Sequence, residues 1–408
     1  MQTPNQCAIL VGGFGTRLGS LTAETPKPLL ECGDRPFLAW VLRELSRFGI
    51  SRIILLAGFR SDRIESFVSD VRRWLPKDVE IEVSVEPSPA GTAGALWHAR
   101  ELLHDRFLMI NGDSWFDTNL ARFLSTANHP SHAVGRVLLR QIDDASRYGT
   151  ASLLDDKIVT FREKANSSDP GLISSGIYLF QKSILDFITP NCSLEVDVLP
   201  KLAKAGRLDG RVLDGYFIDI GIPADYQRAS VEIPERLNRP AVFFDRDGVL
   251  NVDEGWVGVR ERFVWTEDAK DAIRFVTDLG MHAFVVTNQA GVARGFYSEA
   301  DVQRLHEELT EELLSFGATF DDVSYCPYHP EAPVLSYRKD SPFRKPGPGM
   351  ILELIDRWKV RASQSILIGD KDSDLQAAVA AGIDGHLYRG GSLLEFVRPL
   401  VRSAPAPI

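Results

Sequence analysis

Cysteine is scarce in this chain of 408 residues: there are four, Cys7, Cys32, Cys192 and Cys326, and no two form a CxxC pair. Such scatter excludes a disulfide framework and fits a reducing compartment, with each thiol a small buried hydrophobe. No apolar run is long enough to span a bilayer. The opening residues, Met1-Gln-Thr-Pro-Asn, lack the basic and apolar regions of a secretory signal. The expectation is a cytoplasmic protein with no membrane partner. Positive charge is in deficit, 46 Lys and Arg against 56 Asp and Glu, for a net charge of −10. That argues against a nucleic-acid partner and requires anionic substrates to meet local cationic pockets rather than a general field. Internal repeats and low-complexity segments are absent, apart from a Pro/Ala tail at Ser403–Ile408. Self-association into a homo-oligomer is left open by the sequence.

The apolar and charged fractions, 44% and 25%, are those of a globular protein, and the length suggests two domains. The second announces itself at Ala241-Val-Phe-Phe-Asp245-Arg-Asp247-Gly248, where four buried-strand residues deliver two aspartates to a turn. Carboxylates just past an apolar run mark the C-terminal edge of a parallel sheet, where α/β proteins place their sites. The polar, proline-containing stretch before it reads as a linker at 233–239. It separates a domain at 1–232 from one at 240–408.

In the first domain an apolar run, Gln6–Val11, leads into Gly12-Gly13-Phe14-Gly15-Thr16-Arg17-Leu18. Glycines let backbone N–H groups approach a phosphate. The third glycine of a dinucleotide fingerprint is missing, Leu18 standing in its place, and no Gly-Lys-Ser/Thr closes a P-loop. Arg17 and Lys27 supply cations, and Pro26 and Pro28 fix the backbone around Lys27. A helix is expected over 36–48, a strand over 52–57, a helix over 64–74 and a strand over 79–85, a βαβ rhythm implying a mostly parallel sheet. The small residues of Gly91-Thr92-Ala93-Gly94 leave room for a flat ligand such as a base. Phe107–Ile110 ends in Asn111-Gly112-Asp113, a carboxylate at a strand end that suits Mg²⁺ as well as a turn.

Taken with Glu163-Lys164, Ser175-Gly176-Ile177-Tyr178, Glu195 and Asp219-Ile-Gly221, these residues resemble the sugar-1-phosphate nucleotidylyltransferases over roughly 6–232. The resemblance implies a Rossmann-like mixed sheet. It implies a triphosphate held by Gly12, Gly13, Gly15, Thr16 and Arg17, with Gly91 and Thr92 also on the nucleotide. Lys27 would lie on phosphate and act with Arg17 in catalysis. Mg²⁺ would lie on Asp113 and Asp219, and the sugar phosphate against Glu163, Lys164, Gly176 and Glu195. The implied chemistry is in-line attack of a sugar-1-phosphate oxygen on the α-phosphorus, catalysed by positioning and charge neutralisation.

In the second domain, His282–Thr287 ends in Thr287-Asn288-Gln289, Arg344-Lys345-Pro346 precedes a helix start, and Ser365–Ile368 runs into Gly369-Asp370-Lys371-Asp372-Ser373-Asp374. With Asp245 and Asp247 this set resembles the haloacid dehalogenase superfamily over roughly 240–396, a Rossmannoid fold with a parallel sheet. Asp245 is then the nucleophile, Asp247 the acid/base, Thr287 and Asn288 phosphate contacts, Lys345 the cation, and Asp245, Asp247 and Asp370 the Mg²⁺ set. Asp245-Arg-Asp-Gly-Val-Leu-Asn251, Arg294-Gly295 and Cys326-Pro-Tyr-His-Pro330 are most similar to the D,D-heptose 1,7-bisphosphate phosphatases. Histidinol-phosphate phosphatases share much of the pattern. Arg294 and Arg344 are candidates for sugar or second-phosphate contacts. Family members often hold structural zinc, but Tyr328 and Ser341-Pro342-Phe343 occupy ligand positions here, so no zinc is expected. Together the resemblances imply a bifunctional enzyme using GTP and heptose phosphates to make GDP-heptose. Another sugar 1-phosphate or nucleotide, or a non-catalytic half, is the alternative.

Overall fold

The computed structural model describes residues 3–13, 15–75, 78–125, 133–146, 148–162 and 169–402. Two compact units emerge, Met1–Pro234 and Glu235–Ile408.

The first unit is built on a mixed nine-stranded sheet. Four parallel strands come first, in spatial order Glu80–Val85, Arg52–Ala57, Gln6–Leu10 and Arg106–Asn111. Gly171–Gln181 then runs antiparallel to Arg106–Asn111, followed by Gly135–Ile142, Leu208–Val212, Lys157–Arg162 and Thr150–Leu154. The helix expected from 36 forms at Phe37–Arg47 and buries Phe37, Leu38, Val41, Leu42 and Leu45, as its spacing requires. The chain leaves Gln6–Leu10 toward one side of the sheet and later returns to its other side with Arg106–Asn111. The crevice beyond the C-terminal ends of these two strands is thus a switch point, the usual ligand position of an open α/β sheet. A two-stranded ribbon, Ser114–Asp117 with Tyr216–Asp219, sits just past it.

The second unit is a five-stranded all-parallel sheet in the order Asp322–Cys326, His282–Asn288, Ala241–Phe244, Ile366–Gly369, Asp384–Leu387. Its switch point lies between Ala241–Phe244 and Ile366–Gly369. The three central strands are buried on both faces and were legible as apolar runs; the two outer ones read Asp-Val-Ser-Tyr-Cys and Asp-Gly-His-Leu and were not.

The expected linker is corrected. Residues 233–237 are the end of a helix, Pro223–Leu237, despite Pro234 inside it. Ala229, Ile233 and Leu237 recur every fourth residue and are buried, and that apolar face outweighs the bond Pro234 cannot make. Among the described residues no helix is long and apolar enough to cross a membrane.

Candidate active sites

In the first unit, strand pairing does the positioning. Ser114 opposes Asp219 in the ribbon, and the Ile220 amide donates to the Asp113 carbonyl at 3.0 Å. The two carboxylates therefore converge although about a hundred residues separate them. Lys27 sits between them, its Nζ 2.6 Å from Asp113 Oδ2 and 3.4 Å from Asp219 Oδ1. The single-turn helix Lys27–Leu29 between Pro26 and Leu30 holds this lysine in a buried position. Burial, then repulsion from Asp113, pushes the Asp219 carboxyl up; Lys27 and the Gly221 amide, 2.7 Å away, oppose it. A methyl group at Gly221 would lie 3.3 Å from both Arg17 Nη2 and Lys27 Nζ, so the two cations flank one spot. Gly13, Gly15, Thr16, Arg17, Lys27, Asp113 and Gly221 line one cleft of about 180 Å³. Gly12 instead packs on the next loop, where a Cβ would meet the Gly58 amide at 2.7 Å.

A second cluster adjoins it through Tyr178. Thr92 Oγ1 donates to Glu195 Oε2 at 2.8 Å and accepts from the Leu194 amide at 2.8 Å; the buried Tyr178 hydroxyl accepts from Ser174 Oγ at 3.2 Å, and burial, then the nearby Glu195 and Asp113 charges, push its pKa up. Gly91 has φ +77° and a Cβ there would stand 2.5 Å from the Cys192 carbonyl oxygen; Gly176 has φ +76° and backs onto Asn111. Glu163 and Lys164 lie outside the described residues.

In the second unit, Lys345 Nζ bridges Asp245 Oδ1 at 2.7 Å and Asp374 Oδ1 at 2.6 Å, all three groups nearly inaccessible. Burial raises the Asp245 carboxyl, to about 7, against the pull of Lys345. Burial works against the Lys345 ammonium, but Asp245 and Asp374 outweigh it, so its pKa is raised. One oxygen each from Asp245, Asp370 and Asp374 fall within 4.8 Å of one another. Asp370 Oδ1 is buried without a hydrogen-bond partner, and Gly248 leaves room beside it, since a Cβ there would meet Asp370 Oδ2 at 2.4 Å. An unpartnered buried carboxylate oxygen among hard oxygen donors fits Mg²⁺.

The side-chain cluster differs from the expected metal set in one member: it includes Asp374, and the Asp247 carboxylate lies outside it. Asp247 is gripped by the fully buried Arg246, whose Nη2 lies 2.9 and 3.0 Å from its oxygens, and by Gln289 Nε2 at 2.9 Å. Gln289 also donates to Thr287 Oγ1 at 2.9 Å and accepts from Tyr297 at 2.8 Å. Asn288 exchanges hydrogen bonds with the Lys345 backbone at 3.0 and 3.1 Å, tying two strand-end loops together. Asp245, Asp247, Thr287, Asn288, Lys345 and Asp374 line a cleft of about 220 Å³. Trp256 also lines it, and the Arg294 guanidinium lies 5.2 Å from the Trp256 ring. Arg344 donates to the Tyr328 carbonyl at 3.3 Å and is depressed by burial and by Arg294. Asp374, Arg246, Gln289 and Tyr178 stand within the sequence motifs but had no assigned place in the two sites, and Tyr297 lies outside every motif. Asp374 carried the plainest signal, four residues after Asp370 at a strand-to-helix turn. Around Cys326, Lys339 lies over the Tyr328 ring at 3.7 Å, and Tyr328 and Tyr337 meet at 6.0 Å.

Two switch-point clefts, each pairing carboxylates with a buried lysine, define an enzyme with two phosphate-handling centres. The profile described as Nucleotidyl transferase matches residues 7–236, and one described as HAD-hydrolase-like matches 342–395. The chain belongs to the nucleotidyl transferase family and carries a haloacid dehalogenase-like phosphatase domain. It is 34% identical over 232 residues to a D-glycero-alpha-D-manno-heptose 1-phosphate guanylyltransferase of Aneurinibacillus thermoaerophilus, covering 56% of this chain and 98% of that one. It is 47% identical over 163 residues to a D-glycero-beta-D-manno-heptose-1,7-bisphosphate 7-phosphatase of Rhodopseudomonas palustris, covering 40% and 91%. To the corresponding alpha-anomer phosphatase of Burkholderia mallei it is 43% identical over 143 residues, covering 35% and 76%.

Proposed function

We propose that the chain carries out two consecutive steps of nucleotide-sugar synthesis in the cytoplasm. It removes the 7-phosphate of D-glycero-D-manno-heptose 1,7-bisphosphate, then transfers GMP from GTP to the heptose 1-phosphate, releasing pyrophosphate and yielding GDP-heptose. The phosphatase activity is assigned to 240–408 and the transferase to 1–232. The observation that carries this reading is two phosphate-handling clefts in one chain, with relatives whose named activities follow one another, a heptose 1,7-bisphosphate 7-phosphatase and a heptose 1-phosphate guanylyltransferase.

In the phosphatase, Asp245 is the nucleophile. Its carboxylate would repel a phosphate dianion by several kcal/mol at contact, and Lys345 offsets that repulsion. Asp245, Asp370 and Asp374 would hold Mg²⁺, which supplies further charge neutralisation. Asp245 oxygen bonds to phosphorus as O7 leaves with a proton from Asp247, and Asp247 then takes a proton from the water that releases phosphate. Arg246 and Gln289 aim Asp247, and Gln289 orients Thr287. In the transferase, the glycine loop with Arg17 and Lys27 cradles the triphosphate, and Asp113 and Asp219 would hold Mg²⁺ with its phosphates. Thr92 and Tyr178 steady Glu195 toward the sugar.

The named phosphatase relatives include both anomers, the transferase relative the alpha one. A chain whose two steps connect must release the alpha 1-phosphate. The test is a one-pot reaction of each 1,7-bisphosphate anomer with Mg²⁺ and each nucleoside triphosphate, read by mass spectrometry. GDP-heptose from the alpha anomer is expected. Phosphate release without any nucleotide sugar would refute the transferase assignment, and no release at all would refute the phosphatase assignment.

A further inference from the structure

We propose that Arg262 is a positioning residue for the phosphatase centre: it locks Trp256 into the pocket wall beside Arg294, and that wall selects a sugar phosphate bearing a second anionic group. This rests on the reading of the substrate as a sugar bisphosphate.

One guanidinium captures three successive carbonyls. Arg262 donates through Nη1 to Trp256 O at 3.1 Å, and through Nη2 to Gly255 O at 2.8 Å and Glu254 O at 3.2 Å. The chain presents these oxygens to one side because Gly255 and Trp256 both adopt left-handed backbone, φ +70° and +55°. Glycine accepts this freely. A tryptophan does not, and it keeps such a conformation only where its surroundings over-determine it. Arg262 is the central restraint. At the N-terminal end Lys371 lies 3.4 Å from Asp253. At the C-terminal end Gly258 packs so closely on the Tyr297 ring that a Cβ would meet it at 2.2 Å. The strap Asp253–Gly258 is therefore pinned at both ends and in the middle.

Trp256 is placed by this strap in the lining of the cleft that also holds Asp245, Asp247, Thr287 and Lys345. The residue is 43% exposed, and its ring meets Phe296 at 5.3 Å and carries the Arg294 guanidinium at 5.2 Å. An aromatic face suits the C–H face of a sugar, and a propped guanidinium suits a phosphate. The cradle binds the phosphate that is removed; the wall meets what lies beyond it. A small phosphoester without a distal group reaches the cradle alone. Arg262 is itself exposed and touches none of the cradle.

The experiment compares heptose 1,7-bisphosphate with p-nitrophenyl phosphate in the full chain, as wild type, Arg262→Ala, Trp256→Ala and the double variant. Arg262→Ala should raise KM for the bisphosphate about tenfold, leave kcat within about twofold, and leave p-nitrophenyl phosphate kinetics unchanged. The double variant should lose no more than Trp256→Ala, because Arg262 acts through Trp256. Equal losses on both substrates, an unchanged KM, or additive losses would each overturn the proposal. A wild type that hydrolyses p-nitrophenyl phosphate but not the bisphosphate would refute the functional reading instead. The strap is then judged by the same ratio on the sugar phosphate the wild type turns over fastest.

Discussion

His306 shows how a residue can be neither ligand nor catalyst and still govern the behaviour of a site. It is buried with its Nε2 3.3 Å from Arg246 Nη1. Burial, then the Arg246 charge, depresses its pKa to about 3. The unfolded chain, with an ordinary histidine near 6.5, binds a proton below that pH which the native state refuses. Stability contributed by neutral His306 is thus complete above about pH 6.5 and is lost as pH falls toward 3. Between pH 6.5 and 4.5 the loss reaches up to about 3 kcal/mol. Urea unfolding of wild type and His306→Gln across that range should show a shallower pH dependence in the variant; parallel curves would refute the assignment. At the same scale, the stretch 254–265 divides between two roles: Val257 and Phe263 are core, whereas Trp256 faces the cleft.

Among the elements, the helix Gly91–His98 shows how one glycine sets a binding surface. Gly91 combines positive φ with a backbone oxygen where its Cβ would be, so Gly91→Ala must move either the helix start or the 190–193 loop. A cost of about 1–3 kcal/mol is expected from the backbone alone. Because the next residue is Thr92, the shift would also detach Glu195. Thermal unfolding should fall and the transferase KM for sugar 1-phosphate should rise together. A destabilised variant with wild-type KM would separate Gly91 from the site. The ribbon that carries Asp219 to Asp113 is an element of the same kind: two short, unremarkable strands whose register alone assembles a pair of carboxylates.

At the scale of the whole molecule, the two centres share no named residue, so their chemistry should be separable. Asp245→Asn should abolish phosphate release and leave nucleotide transfer from preformed heptose 1-phosphate intact; Asp113→Asn should do the reverse. Loss of both activities from either change, in a variant with native circular dichroism, would show the centres to be coupled. Metal dependence should also divide. Chelation should silence both activities and Mg²⁺ restore them, whereas elemental analysis should find no stoichiometric zinc. One zinc per chain would overturn the view that Lys339, Tyr328 and Tyr337 take the place of a metal in the Cys326 loop.

The sequence by itself determined the two α/β halves, the central strands and most of the charged residues at their ends. Those signals are local: an apolar run, a glycine turn and a carboxylate follow one another along the chain, and burial on both faces of a parallel strand leaves no other composition. It did not determine the edge strands or the helical end of the supposed linker, where half-buried segments carry mixed residues. Nor did it determine that Asp374 rather than the Asp247 side chain joins Asp245 and Asp370, that Arg246 and Gln289 hold Asp247, or that Arg262 holds Trp256. Those are choices between neighbours that only packing makes. A buried charge must find whichever partner the surrounding strands bring within hydrogen-bond distance, and that partner is distant in the chain.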